Sequence, residues 1–286
     1  MSGTGIRTYT DAIAIVTGGG SGIGEALGKA LARRGALAIL ADRRPSEAER
    51  VAATIRREGG RAEAHPLDVR DASAFDALVA DVMARHGRLD YLFNNAGIGV
   101  AGETKDLAID DWRAIVEVNV MGVVHGVHAA YPRMASQGFG HLVNTASMAG
   151  LMPSPMTVPY GMTKYAVVGL SRSLRAEGAH YGVRVTALCP GVIRTPILGG
   201  GAYGRIANAP PPDVQAAVWE RTRPMDPDRF ADRVLDQLAR NPDTIVVPGA
   251  WRLLDFANRL SPTLGGFLAA RIFENAKSVF DKGRLP

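Results

Sequence analysis

The sequence predicts an α/β fold: a doubly wound parallel sheet with helices on both of its faces. Three observations carry that expectation. Short apolar runs alternate along the chain with longer stretches whose apolar residues recur every three or four positions. The runs lack the in–out alternation of half-solvated strands, as strands buried on both faces should. The first run also passes straight into a glycine-rich turn and then a helical pattern, the arrangement that opens a β-α-β unit.

Taken in order, strands are expected at residues 12–17, 37–41, 62–66, 89–93, 141–146, 183–188 and 244–247. Helices are expected at 22–34, 46–58, 73–86, 110–136 and 160–180. Neither an internal repeat nor a clean linker interrupts the series. One domain, residues 11–250, is therefore expected, after a flexible N-terminus at 1–10. Within it Gly199-Gly200-Gly201 and the NAPPPD stretch at 208–213 mark a mobile region, because glycine loosens the backbone and proline interrupts helices. A helical C-terminal extension, 251–286, follows, with a break near Ser261-Pro262. In its second half Leu264, Leu268, Ile272, Ala276 and Phe280 recur every four residues, an amphipathic pattern.

Composition narrows the function classes. With 286 residues, 47% hydrophobic and 21% charged, the chain can bury a sizeable core. Its net charge of +5 comes from scattered arginines, not from a basic run, which argues against nucleic-acid binding and for solvated faces. The single cysteine, Cys189, excludes an intramolecular disulfide and fits a reducing compartment. Residues 1–10 lack the apolar core of a signal peptide, and no window has the roughly 18 uninterrupted apolar residues of a membrane span. A cytoplasmic protein is expected, with membrane contact disfavoured.

The first strand leads into Thr17-Gly18-Gly19-Gly20-Ser21-Gly22-Ile23-Gly24. Glycines there let the backbone turn sharply and admit a pyrophosphate, whose charge the first helical N–H groups bind. The spacing departs from the common G-x-G-x-x-G; the strand before and helix after make it a Rossmann-type dinucleotide signal. The second strand ends at Ala41-Asp42, about 20 residues beyond, where an acid bonds the adenosine ribose hydroxyls. Asp42 would repel a 2′-phosphate and so favours NAD. Arg43 and Arg44 follow at once with charge to clamp such a phosphate, which leaves NADP open.

Tyr160 and Lys164 fall one helical turn apart. A phenol, with a pKa of about 10, is a poor base at neutral pH, and a nearby cation favours its ionised form. Ser147 closes a predicted strand at the carboxyl edge of the sheet, where ligands of such folds bind. With these residues in order, the chain resembles the short-chain dehydrogenases/reductases in their compact single-domain form, over residues 11–196. The matching elements are the glycine turn, Asp68-Val69, Asn94-Asn95-Ala96-Gly97, Asn119, Ser147, Tyr160-x-x-x-Lys164 and Pro190-Gly191.

The resemblance implies an oxidoreductase that interconverts a secondary alcohol and a ketone. Tyr160 would pass the proton, Ser147 polarise the substrate oxygen, and Lys164 lower the tyrosine pKa and bind the nicotinamide ribose. Asn119 would anchor a water relaying protons. Asp68 and Val69 would meet the adenine, Asn95, Ala96 and Gly97 the cofactor floor, and Pro190, Gly191, Val192 and Thr195 the nicotinamide end. Gly18, Gly20, Ser21, Gly22, Ile23, Gly24, Asp42 and Arg43 complete the expected cofactor contacts; no metal is required. The resemblance also implies a homodimer or homotetramer built on the two long central helices.

The segment after Gly191, about 192–225, is expected to cover the substrate. Ile193, Ile197, Leu198, Tyr203, Ile206 and Trp219 would line an apolar pocket, with Met148, Leu151, Met152 and Met156 opposite. That suggests a lipophilic or alicyclic substrate. Tyr165 is expected in the core, Cys189 as a small buried hydrophobe, and His125 and His128 on a helix surface or interface. A dinucleotide-binding sensor or scaffold without turnover is the competing reading, against which the joint presence of Ser147, Tyr160, Lys164 and Asn119 argues. The extension has three readings: internal cover of the pocket, a subunit contact, or a membrane surface, the last being the weakest.

Overall fold

The computed structural model describes Gly5 and residues 8–282. Most of the expected flexible N-terminus therefore lies outside the described residues. The strands are β1 Ile13–Thr17, β2 Leu37–Asp42, β3 Arg61–Pro66, β4 Tyr91–Asn94, β5 Gly99–Ala101, β6 Gly140–Thr145, β7 Val183–Pro190, β8 Gly204–Ile206 and β9 Thr244–Val247. The helices are α1 Gly22–Arg33, α2 Pro45–Arg57, α3 Ala72–His86, α4 Ile109–Val116, α5 Gly122–Gln137, α6 Val158–His180, α7 Pro212–Arg221, α8 Pro227–Leu238, α9 Trp251–Leu260 and α10 Pro262–Lys282.

Seven strands form one sheet in the order β3-β2-β1-β4-β6-β7-β9, every neighbouring pair parallel. The order reverses beside β1, so a crevice opens at the carboxyl ends of β1 and β4, the switch point where such sheets bind ligands. β5 and β8 form a separate parallel pair at that end. Each strand supplies both faces. Ala14 and Val16 pack with Leu27, Leu31, Ile55, Phe230 and Leu235 beneath α1, α2 and α8. Ile13 and Ile15 pack on the other side with Phe75, Val79, Val82 and Leu142 beneath α3 and α5. This is why the strands read as continuous apolar runs. Each large core side chain contributes roughly 1.5–3 kcal/mol.

All seven expected strands are present, with ends displaced by a residue or two. The expected single helix at 110–136 is instead α4 and α5 joined by a π-helical turn at Glu117–Met121. Asn119 lies in that turn, buried, with its amide tied to another segment; π-helical turns concentrate at such places. The sequence reading has no helix between 208 and 243, where α7 and α8 stand. The signal for α8 is present: Asp226 accepts from Arg229 N at 2.9 Å as an N-cap, Pro227 follows, and Phe230, Ala231, Val234, Leu235 and Leu238 form its buried face.

The extension forms two helices broken at Ser261, as expected. Of its apolar stripe, Leu268 is 39% and Ile272 50% exposed and Ala276 is half-buried, while Gly265 is buried against Asn258 of α9. The side chains of Leu264 and Phe280 lie outside the described residues. Asn258 Nδ2 donates to Leu151 O at 3.2 Å and Lys277 pairs with Glu103 at 3.3 Å, so both helices lean on the sheet's carboxyl end. Among the described residues no helix is long and apolar enough to cross a membrane.

Candidate active site

The end of β1 is locked to the end of β4. Thr17 Oγ1 accepts from Asn95 N at 2.9 Å and Ala96 N at 3.0 Å, while Asn95 Nδ2 donates to Thr17 O at 3.0 Å. Thr17 is part of the site that sequence reasoning did not single out; its signal was its place as the last residue of a strand before the glycine turn. Gly22 sits at φ +53°, left-handed backbone that favours glycine. Gly24 faces a tighter constraint, since a Cβ there would lie 2.1 Å from Gly18 O. Gly24→Ala is expected to destabilise the fold by about 1–3 kcal/mol, read from urea unfolding midpoints, because backbone must move to admit the methyl.

Asp42, at the end of β2, closes one side of the crevice. Its Oδ2 accepts from Gly20 N at 3.0 Å and its Oδ1 from Arg44 N at 2.9 Å. Arg43 is exposed at the cavity edge. Arg44 turns to Tyr203: Nη2 donates to the phenolic oxygen at 2.7 Å, and the guanidinium lies 4.6 Å from the ring centroid. Further along the wall, Asp68 pairs with Arg70 at 2.5 Å, and that hydrogen bond holds its carboxyl below the usual range. His125, expected on a surface or interface, is half-buried behind the same wall, its Nδ1 2.9 Å from Val69 O.

The other end of the crevice holds the catalytic candidates. Ser147 follows β6, and its hydroxyl accepts from Ala149 N at 3.2 Å and lies near enough to Tyr160 to influence its phenol. Tyr160 is in the first turn of α6. Lys164, one turn on, is only 4% exposed; its Nζ donates to Thr145 O at 2.8 Å and lies 5.4 Å from the Tyr160 ring centroid. Burial pushes the Tyr160 phenol above its ordinary value, and Ser147 pulls it part of the way back. Burial also lowers Lys164 to about 8. The expected lowering of the phenol by Lys164 is therefore not what the protein environment alone produces, where burial is the largest influence.

Asn119 lies behind these two. Its Oδ1 accepts from Ile98 N at 2.9 Å, and its Nδ2 donates to Ile98 O at 3.0 Å and Thr163 Oγ1 at 3.2 Å. Thr163, fully buried on α6, in turn donates to Tyr160 O at 2.8 Å. Thr163 is a second supporting residue missed in the sequence, where a lone threonine inside a helix carries no signal of its own.

One cavity of about 510 Å³ joins the two ends. It is lined by Gly18, Ser21, Gly22, Ile23, Asp42, Arg43, Asp68, Val69, Asn95, Ala96 and Gly97, then by Ser147, Tyr160, Lys164, Pro190, Gly191, Val192 and Thr195. Of the expected site residues, Gly20, Gly24 and Asn119 stand behind this wall. All six apolar residues expected from the covering segment line it, as do Met148 and Met152; Leu151 and Met156 are buried away from it. The extension adds two walls, Trp251 and Ile272, in line with the reading that it covers the pocket. Cys189 is buried beyond the lining, and burial raises its thiol to about 12, so it is not a reactive group. Tyr165, expected in the core, is 47% exposed in a groove between α6 and α10. Among the described residues no cluster of His, Cys, Asp or Glu has metal-binding geometry.

The family model described as short chain dehydrogenase matches residues 12–201. "Oxidoreductase UcpA" of Escherichia coli is 35% identical over 224 residues, 78% of this chain and 83% of that protein. "Probable oxidoreductase EphD" of Mycobacterium tuberculosis is 34% identical over 274 residues, 92% of this chain; the chain spans only 46% of that protein's length. Among solved structures, a short chain dehydrogenase/reductase from Burkholderia phymatum in complex with NAD superposes with a TM-score of 0.80 at 28% identity, covering 91% of this chain and 96% of that one. The chain belongs to the short-chain dehydrogenase/reductase family of oxidoreductases.

Proposed function

We propose that the chain is an NAD(P)-dependent enzyme, with NAD preferred, that interconverts a hydrophobic secondary alcohol and its ketone using Tyr160 as acid and base. One observation carries the reading: Ser147, Tyr160 and Lys164 converge at one end of a cavity whose other end is a glycine cradle guarded by Asp42. That cradle fits a dinucleotide, because Gly24 admits no side chain against Gly18 and Gly22 turns through left-handed backbone, leaving the start of α1 open to a pyrophosphate. The relative from Burkholderia phymatum, crystallised with NAD, supports the same assignment. Bound there, the cofactor supplies or accepts a hydride.

The protein's own groups then handle the proton and the oxygen. The Tyr160 hydroxyl donates to the carbonyl oxygen in reduction and takes the proton back in oxidation. Ser147 holds that oxygen by its hydroxyl. Lys164 presents an ammonium to the nicotinamide ribose. Proton relay by water is proposed beside Asn119, whose amide is committed to Ile98 and Thr163 and so fixes the wall rather than carrying protons. Self-association through α5 and α6 is part of the same proposal.

A raised phenol keeps its proton at neutral pH. Ketone reduction is therefore expected to lead near neutrality, and alcohol oxidation to gain as pH rises towards the ionisation of Tyr160. The test is steady-state kinetics in both directions across pH, with NADH and NADPH and their oxidised forms, on a panel from small sugars to alicyclic ketones. The apolar lining predicts that alicyclic substrates lead. A preference for sugars would contradict it.

A further inference from the structure

The loop after β2 carries two arginines, and one of them, Arg44, is engaged by a distant segment. Arg44 N donates to Asp42 Oδ1, while its guanidinium both bonds Tyr203 and covers its ring. Tyr203 closes a short turn at Gly201–Tyr203 and runs directly into β8, which is held against β5 by parallel pairing from Gly99–Gly204 to Ala101–Ile206. The phenol is therefore presented by an anchored strand. Asp42, Arg43, Arg44 and Tyr203 all line the same cavity.

Resting on the NAD preference proposed above, we propose that Tyr203 is a cofactor-specificity residue, which sequesters the Arg44 guanidinium and so denies a 2′-phosphate one of the two cations beside Asp42. The physical argument is one of competition. A 2′-phosphate beside Asp42 meets a buried carboxylate and needs a guanidinium to offset it. Arg44 is close enough to Asp42 for its Nε to lie 3.8 Å from Oδ1, yet its Nη2 is engaged by the phenol oxygen and its face by the ring. Turning to a phosphate would break both contacts. Without the tyrosine side chain, Arg44 keeps only its approach to Asp42 and turns at lower cost. The residue lies far along the chain from the glycine turn and Asp42, in the segment that covers the substrate, so the two halves of the site share one specificity device.

Equilibrium titrations of NADH and NADPH, followed by fluorescence without turnover, test this on the full chain. Tyr203→Leu is expected to raise the ratio of NADPH to NADH affinity by about tenfold, equivalent to about 1.4 kcal/mol. Tyr203→Phe, which keeps the ring and loses the hydroxyl, is expected to give a smaller rise, about threefold. In an Arg44→Gln background both rises should vanish. An unchanged ratio in Tyr203→Leu, or a rise that survives Arg44→Gln, overturns the proposal. Should Tyr203→Leu fail to fold, the Phe variant decides: a rise supports the proposal and none overturns it. Stronger binding of NADPH than NADH by the unmodified chain would overturn the NAD reading alone. The role of Tyr203 is read from the change on substitution.

Discussion

Tyr160→Phe is expected to lower kcat by about a thousandfold while leaving NADH affinity largely unchanged. The ring stays, so the packing at the start of α6 and the cavity wall persist; only the hydroxyl is lost. That hydroxyl is the proposed route by which a proton reaches the substrate oxygen, and general acid–base groups contribute roughly 10²–10⁴-fold. Ser147 retains its bond from Ala149 N and can still hold the oxygen, which leaves a residual rate above the uncatalysed one. Steady-state kinetics with a saturating alicyclic ketone, beside NADH titration by fluorescence, separate chemistry from binding. A variant that keeps more than about a tenth of the rate would remove Tyr160 from the proposed role.

Lys164→Met is expected to move activity and stability in opposite directions. Turnover should fall steeply, because the ammonium proposed to hold the ribose is gone. Stability at neutral pH should rise. Burial lowers Lys164 from an ordinary 10.5 to about 8, so the folded protein binds this proton more weakly than the unfolded chain does. Below about pH 8 the lysine is charged in both states and its full burial cost opposes folding; between 8 and 10.5 the cost fades as pH rises. Methionine carries no such cost. The gain at neutral pH should be about 1–3 kcal/mol, after about 1 kcal/mol is lost with the bond to Thr145 O, and it should shrink as pH rises from 8 to 10.5. Scanning calorimetry at several pH values reads both the gain and its disappearance. A destabilised variant at neutral pH would contradict the account; a stabilised, inactive one is the usual exchange at a functional position.

Much of this architecture was legible because the signal repeats. Each main strand is an apolar run followed by a helical period, and residues such as Ile15 and Val16 serve opposite faces, so the runs cannot be mistaken for half-solvated strands. The glycine turn, Asp42, Ser147, Tyr160 and Lys164 were equally readable, since each needs a particular residue at a particular strand or helix end. What escaped the sequence depends on contacts between distant segments. The break at Asn119 exists because its amide bonds Ile98, and a one-dimensional pattern has no means of registering that. β5 and β8 are three residues each and form their backbone ladder with each other, apart from the main sheet. Tyr165 was expected to pack inside because tyrosine on a helix so often does, yet its position on α6 faces a groove. On α10 the apolar period was legible but the packed side was not, since Gly265 is buried only because it abuts Asn258 of α9. α8 is different: its cap, proline and periodicity were all present.

The central claim is that hydride moves between the cofactor and a substrate carbon while Tyr160 supplies the proton. Incubating the chain with NADH deuterated at its transferring carbon and an alicyclic ketone, then measuring deuterium in the product alcohol by mass spectrometry, tests it most directly. The account predicts one deuterium on the carbinol carbon for the unmodified chain, and label formation slowed about a thousandfold for Tyr160→Phe at equal cofactor occupancy. Product formed without label, or label formed equally fast by Tyr160→Phe, would contradict it.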